Sequence, residues 1–349
     1  MIDAGHRDCV EAALNHEKTD RTPVNNFVLA TAARSAGMTV DAARWDPKIS
    51  AKVSVDHAVK TKSDFVKPVL DSQVPFMDLG MQVRFPEDDY GQILKPIAEE
   101  AEQIDQLAFF DPNVASECPN FQKVFVDALE ETSRILPEDL HICGLSWGPI
   151  TSSGYIMGVE NMVMGMLMEP DMVKKLISKT TPFVSAMQTR MLEAGATVMW
   201  MADPTSSEDL ISPDMFHEFS APYITQIVKD VNNMDSSVHT FVHICGNTLK
   251  VLKEMPQTGA DCLSFDHAVD PAKAKETAGR NISIMGNVDP VQVMMMGNPE
   301  SITSACYDVI EAAGQEGGFI LAPGCETPIS TSDENVLAMG EAARTYWSR

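Results

Sequence analysis

Residues 196–246, ATVMWMADPTSSEDLISPDMFHEFSAPYITQIVKDVNNMDSSVHTFVHICG, decide the fold. The apolar run ATVMWMA (196–202) has the length and composition of a buried strand and stops at Asp203-Pro204. SPDMFHEFSAPYITQIVKDV (212–231) carries helical spacing, with Ser212 as cap and Pro213 in the first turn. SVHTFVHI (237–244) is a second apolar strand. Strand, helix and strand in such close succession predict a parallel pair joined by a helical crossover.

The same alternation extends in both directions. DLHICGL (139–145) reads as a buried strand, and 159–194 as helix with a break and restart at Pro170. Beyond residue 246, a helix is expected from about 248, then the strand DCLSFD (261–266), a short helix over 271–278 and the strand ISIMGN (282–287). The helix 298–314, the strand GFILAP (318–323) and the helix 333–347 complete that half. Toward the amino terminus, a first helix ends near His16, and DRTPVNNFVL (20–29) turns into a short strand. Helix follows over 39–62, then the strand DFVKPVL (64–70), hairpin or loop over 72–96 and helix over 119–136. About eight strand–helix alternations favour an α/β fold of the closed (β/α)8 TIM-barrel type. One domain over 1–349 is expected, with an amino-terminal helical and loop extension. No glycine-rich phosphate fingerprint follows an early strand, which weighs against a dinucleotide-binding fold.

Composition narrows the function. The 349 residues are 44% hydrophobic and carry a formal charge of −24. Such a surface repels nucleic acid and anionic lipid, and disfavours a substrate with many carboxylates. No apolar run approaches membrane-spanning length, and the first twenty residues read as an amphipathic helix rather than a leader. The seven cysteines are odd in number and scattered, which fits a reducing cytoplasm and free thiols or metal ligands.

The tetrapeptide HICG occurs at 141–144 and again at 243–246. In a barrel, functional side chains gather at the carboxyl ends of the strands. His141 and Cys143 fall early in their strand and read as core packing. His243 and Cys245 fall at a strand end, two apart and therefore on one face. Asn247 suits the cap of a following helix, whose amino terminus would favour the Cys245 thiolate. Cys325 stands on a Pro-Gly turn just past the last strand, a poor place for a packing cysteine. Asp266 ends the intervening strand DCLSFD. One imidazole, two thiolates and a candidate carboxylate make a zinc set of His243, Cys245, Cys325 and Asp266. An H-x-C pair alone is equally compatible with packing. Asp203, at the end of MWMAD, is a candidate for orienting a polar group of a bound molecule, the alternative being a turn cap. His239 reads as structural, and His267 as a candidate support for Asp266. The methionine-dense segments NMVMGMLMEPDM and VMMMGN read as adaptable core filler.

FVHICGNT, ADPTSSEDLISPDMF, MGNVDP and GGFILAPGCETP together resemble the uroporphyrinogen decarboxylase superfamily, and most closely its zinc-dependent methyltransferase branch, the methylcobamide:coenzyme M methyltransferases. HEKTDRTPV near the start and SDENVLAM near the end extend the resemblance over most of the chain. It implies a (β/α)8 barrel with zinc on His243, Cys245 and Cys325. In that branch a Glu tends to stand where this chain has Asp266, and the shorter side chain sets direct ligation apart from the other three. The decarboxylase branch holds substrate carboxylates with an arginine-rich segment; here that stretch is NNFVLATAARSAGMTV, with Arg34 alone. The expectation is a zinc-dependent methyltransferase in which a thiol such as coenzyme M, activated as a zinc-bound thiolate, takes a methyl group from methyl-Co(III). The corrinoid (methylcobalamin) sits on a partner corrinoid-binding protein, with Asp203 then a candidate to orient it and the methionine-dense segments, if not core, a surface to face it. The alternatives are loading of cob(I)alamin from a methylated ether, amine or thioether, and transfer to tetrahydrofolate. A corrinoid carrier without activity and a decarboxylase are the remaining readings.

Overall fold

The computed structural model describes residues 5–137, 139–280 and 282–349. Seven parallel strands form one sheet in the order β1 (Phe65–Val66), β4 (His141–Trp147), β5 (Val198–Ala202), β6 (His239–Ile244), β7 (Cys262–Phe265), β8 (Ser283–Val288) and β9 (Phe319–Pro323). β2 (Val83–Arg84) and β3 (Gln92–Ile93) pair antiparallel as a hairpin, the first of the two alternatives read for 72–96. β4 to β9 are buried along almost their whole length, as strands covered on both faces must be.

The sheet curls and closes through residues 23–25. The Leu321 N–H donates to Pro23 O and the Asn25 N–H to Leu321 O, both at 2.9 Å, while on the other side the Asp64 N–H donates to Val24 O at 2.9 Å. The short strand expected in DRTPVNNFVL is therefore a single bridge at Val24. Pro23 offers no N–H, and Phe27 at φ 43° turns the chain away, so the segment cannot run further as a strand.

Charge holds this closure. Asp64 is fully buried; it accepts from Arg21 Nη1 and Nη2 at 2.9 and 2.7 Å and from the Val24 N–H at 2.7 Å. His6 Nδ1 lies 2.7 Å from the same carboxylate. Despite burial, these partners hold the Asp64 carboxyl below its usual range.

Each helix expected from the sequence is present except one, and the short helices Ala30–Ser35, Val74–Asp78, Ala101–Gln106 and Pro149–Met157 lie where none was expected. Pro170 restarts the chain as the helix Pro170–Glu193 after Val159–Met168, and Ser212 caps the turn at Pro213 by accepting from the Met215 N–H. No α-helix starts at 248: the crossover after β6 consists of two tight turns, Val251–Lys253 and Met255–Thr258. Pro256 removes an N–H from that stretch and Gly259 at φ 84° ends it, so helical spacing alone misread it. Met162, Met166, Met199, Met201 and Met294 are buried core, whereas Met164, Met168 and Met296 are exposed. Among the described residues, no helix is long and apolar enough to cross a membrane.

Replacing Asp64 by Ala would leave Arg21 buried and unpaired beside the closing segment. The expected loss is about 3–5 kcal/mol of unfolding free energy, measured by urea denaturation at neutral pH. Because the folded-state pKa is depressed, that stability is present above the ordinary carboxylate range and is lost as pH falls through the folded value. The wild-type advantage over Asp64→Ala should shrink correspondingly in acid.

Candidate functional site

The two HICG segments lie at opposite ends of the barrel. The register runs Trp147 to Ala202 to His243 to Ser264, whereas His141 pairs with Phe65 at the start of β4. His141 is 3% exposed and stacks on Phe65 at 5.6 Å; Cys143 is fully buried. Both are core, as their place in the strand predicts. His239 shares that end and bonds Glu11 at 2.6 Å.

At the carboxyl end, His243, Cys245 and Cys325 converge, with one donor atom from each lying within 4.8 Å of the others. His243 Nε2 is 3.0 Å from Cys245 Sγ, and the two sulfurs are 3.6 Å apart. His243 and Cys245 come together because they close one strand two residues apart. Gly246 then turns the chain at φ 76°; a Cβ there would lie 2.1 Å from the Asp209 carboxylate, so the turn requires glycine.

Cys325 arrives from three strands away. The Gly324 N–H donates to Val288 O at 2.8 Å, and a Cβ on Gly324 would stand 2.3 Å from the backbone nitrogen of His267. Only glycine lets the turn after β9 lean across the end of β8 onto the loop after β7. Thr327 ties the same loop to the closing segment, its N–H donating to Phe27 O and its hydroxyl to Asn26 O.

The donor set fits a tetrahedral soft cation. With metal–sulfur bonds near 2.3 Å and metal–nitrogen bonds of 2.0–2.1 Å, tetrahedral ligands stand about 3.5–3.8 Å apart. His243 Nδ1 is 2.9 Å from Ser264 Oγ, which fixes the ring with Nε2 toward the sulfurs. The hydrogen bond from Cys245, reinforced by His243, pushes Cys325 down, and the same bond together with burial pushes Cys245 up.

Two expected site residues have other partners. The Asp266 carboxylate does not join the converging atoms. It accepts from the Ala268 N–H at 3.0 Å and lies 2.7 Å from His267 Nδ1, so it bears on Cys245 only as a nearby negative charge. His267 pairs with a carboxylate that lies outside the donor set. Asp203 is fully buried and accepts from the Thr151 N–H at 2.7 Å and the Ser206 hydroxyl at 2.9 Å. It caps, from another strand, the helix Pro149–Met157, and burial pushes it up to about 6. It does not line the cavity, so the turn-cap alternative describes it.

That cavity, of about 290 Å³, opens beside the sulfurs. Its wall includes Phe27, Leu70, Leu145, Trp147 and Tyr155 with His243, Cys245 and Cys325. Tyr90 and Glu326 also line it, with the Tyr90 hydroxyl donating to Glu326. Burial pushes Glu326 up to about 7. Sequence reasoning missed both. Glu326 was findable beside Cys325, whereas Tyr90 lies in a hairpin loop with no local signal. Among the described lining residues there is no Lys or Arg.

The fold and this site define a β/α barrel that gathers an imidazole and two thiols at the wall of a largely apolar cavity. The chain belongs to the uroporphyrinogen decarboxylase (URO-D) family, whose profile matches residues 6–346. It is 30% identical over 221 residues to a methylated-thiol–coenzyme M methyltransferase of Methanosarcina mazei, a match covering 63% of this chain and 58% of that protein. It is 28% identical over 254 residues to the methylcobamide:CoM methyltransferase MtbA of Methanosarcina acetivorans, covering 73% and 71%. A uroporphyrinogen decarboxylase of Crocosphaera subtropica is 25% identical over 305 residues, covering 86% and 82%. The solved structure of a methyltransferase from Methanosarcina mazei superposes with a TM-score of 0.87 at 23% identity, covering 98% of both chains.

In metal-free protein, Cys325 should react with iodoacetamide at neutral pH ahead of buried Cys9, Cys118 and Cys306, whose thiols burial pushes up. Peptide mass spectrometry checks the order, and added zinc should suppress the reaction. Ser264→Ala should weaken zinc binding about 10–100-fold in chelator competition, by freeing the His243 ring.

Proposed function

We propose that this chain is a zinc-dependent methyltransferase that moves a methyl group between a corrinoid on a partner protein and a small thiol. The observation that carries this reading is the convergence of His243, Cys245 and Cys325 at the wall of the cavity. Zinc bound there would strip the proton from an entering thiol and present its sulfur as a nucleophile at neutral pH. Thiolate side chains at Cys245 and Cys325 would offset the dication, so that the substrate sulfur keeps its electron density.

The other residues bind and orient. Ser264 holds the His243 ring, and the edge of Phe27 packs on it, with ring centres 5.4 Å apart. Leu70, Leu145 and Trp147 exclude water from the sulfur pair and limit the directions from which a thiol can enter. The methyl carrier would have to approach through the open side of the cavity. Arg34 is tied to the Thr331 carbonyl and paired with Asp333 at 3.6 Å, away from the cavity lining. A many-carboxylate porphyrinogen would thus find no Lys or Arg among the described lining residues, which argues against the decarboxylase reading. The methylated thiol in the name of the Methanosarcina mazei relative favours a second reading of the same site, in which a methylated thiol is the methyl donor; cob(I)alamin would then be the acceptor.

Purified protein should hold about one zinc per chain by elemental analysis, and Cys245→Ser and Cys325→Ser should each lose most of it. With methylcobalamin and a thiol panel, the wild type should bleach the methyl-Co(III) spectrum. Both variants should fall by at least about 100-fold, roughly 2.7 kcal/mol of transition-state stabilisation. Full metal and full activity in both variants would defeat the proposal. Activity with a methyl thioether and cob(I)alamin alone would select the second reading.

A further inference from the structure

Lys67 follows β1 and is 5% exposed, an unusual position for an ammonium. Its Nζ donates to Asn25 Oδ1 at 2.9 Å and lies 4.0 Å from the ring centre of Trp200 and 4.4 Å from that of Phe27. Among the described residues, no carboxylate lies within ion-pair distance of it. Asn25 Oδ1 also accepts from the Phe27 N–H at 3.0 Å, so one amide sets both the ammonium and the ring. Burial lowers Lys67 to about 8, which leaves it charged at neutral pH; Cys143 and Glu326 are the titratable groups whose charge acts on it.

The rings that hold this cation also hold the metal-binding imidazole. Phe27 packs edge-on against His243 at 5.4 Å, and Trp200 lies 6.1 Å from it. The position therefore places a buried positive charge behind the two rings that pack on His243, held by two aromatic faces and a neutral amide, with Glu326, next to Cys325 in the chain, as the carboxyl whose charge reaches it. A dication with two cysteine thiolates is neutral, and a third thiolate leaves one excess negative charge in a low-dielectric cavity. We propose that Lys67 is a positioning residue for the thiol substrate: its charge, fixed by Asn25, Phe27 and Trp200, stabilises the extra negative charge that appears when a thiol enters as thiolate and gives its proton to buffer. This rests on the zinc reading above, and it assigns the barrel interior a part in thiol activation that the ligands alone do not supply.

The test uses full-length protein loaded with Co(II), with 2-mercaptoethanol as the probe. The sulfur-to-cobalt charge-transfer band is followed against pH. Lys67→Met should raise the midpoint for thiolate entry by about one pH unit, a tenfold loss of bound thiolate below the midpoint, with metal stoichiometry unchanged. Lys67→Arg should stay near wild type. Asn25→Asp, which pairs the ammonium without changing side-chain size, should also raise the midpoint and serves if Lys67→Met fails to fold. An unchanged midpoint in metal-loaded Lys67→Met or Asn25→Asp overturns the proposal and leaves the zinc reading intact. Wild-type protein that takes up no metal, or shows no thiol-dependent band, overturns the zinc reading and this inference with it.

Discussion

The approach of the turn Pro323-Gly324-Cys325 to the ends of β7 and β6 is the contact on which the site depends. Two of the three donors come from one strand and are together by local geometry. The third comes from a strand three places away and reaches them only because Gly324 packs its backbone against His267. That approach needs a closed barrel, since an open sheet would leave the turn after its edge strand with nothing to lean over. Closure rests on a three-residue segment bonded to β9 on one side and to the start of β1 on the other, with the buried Arg21–Asp64 pair behind it. The charged lock at one end of the barrel and the sulfur pair at the other are thus parts of one construction.

The segment that closes the barrel also furnishes the site. Asn25, Phe27 and the carbonyl of Asn26 lie within three residues, and they respectively hold Lys67, brace His243 and anchor the loop that carries Cys325. A change in this stretch would be felt in stability and in donor geometry together. The hairpin region contributes the opposite wall: Tyr90 donates to Glu326 and accepts from the Ala30 N–H at 2.9 Å. The cavity is therefore assembled from segments distant in sequence, each fixed by a few buried hydrogen bonds.

Much of the fold was legible because buried parallel strands are short apolar runs, and β4 to β9 are all of that kind. The closing segment was less legible, since a single bridge at Val24 leaves little periodicity behind. The false helix after residue 248 came from trusting spacing over Pro256. At the site, the two HICG copies were separable by their place in the strand, and the Pro-Gly turn marked Cys325. Asp203 and Asp266 show the limit of that reasoning: a carboxylate at a strand end can equally serve a helix terminus or a neighbouring loop, and one sequence does not record which. Lys67 was invisible, because nothing beside it in sequence reveals that two distant rings and an amide surround it.

X-ray absorption at the zinc edge reads the donor set itself. The account predicts about two sulfurs near 2.3 Å and one nitrogen near 2.0–2.1 Å in the resting protein, with a further sulfur when a substrate thiol is added. A shell of oxygen and nitrogen alone, or a sulfur count that does not change with thiol, would contradict it.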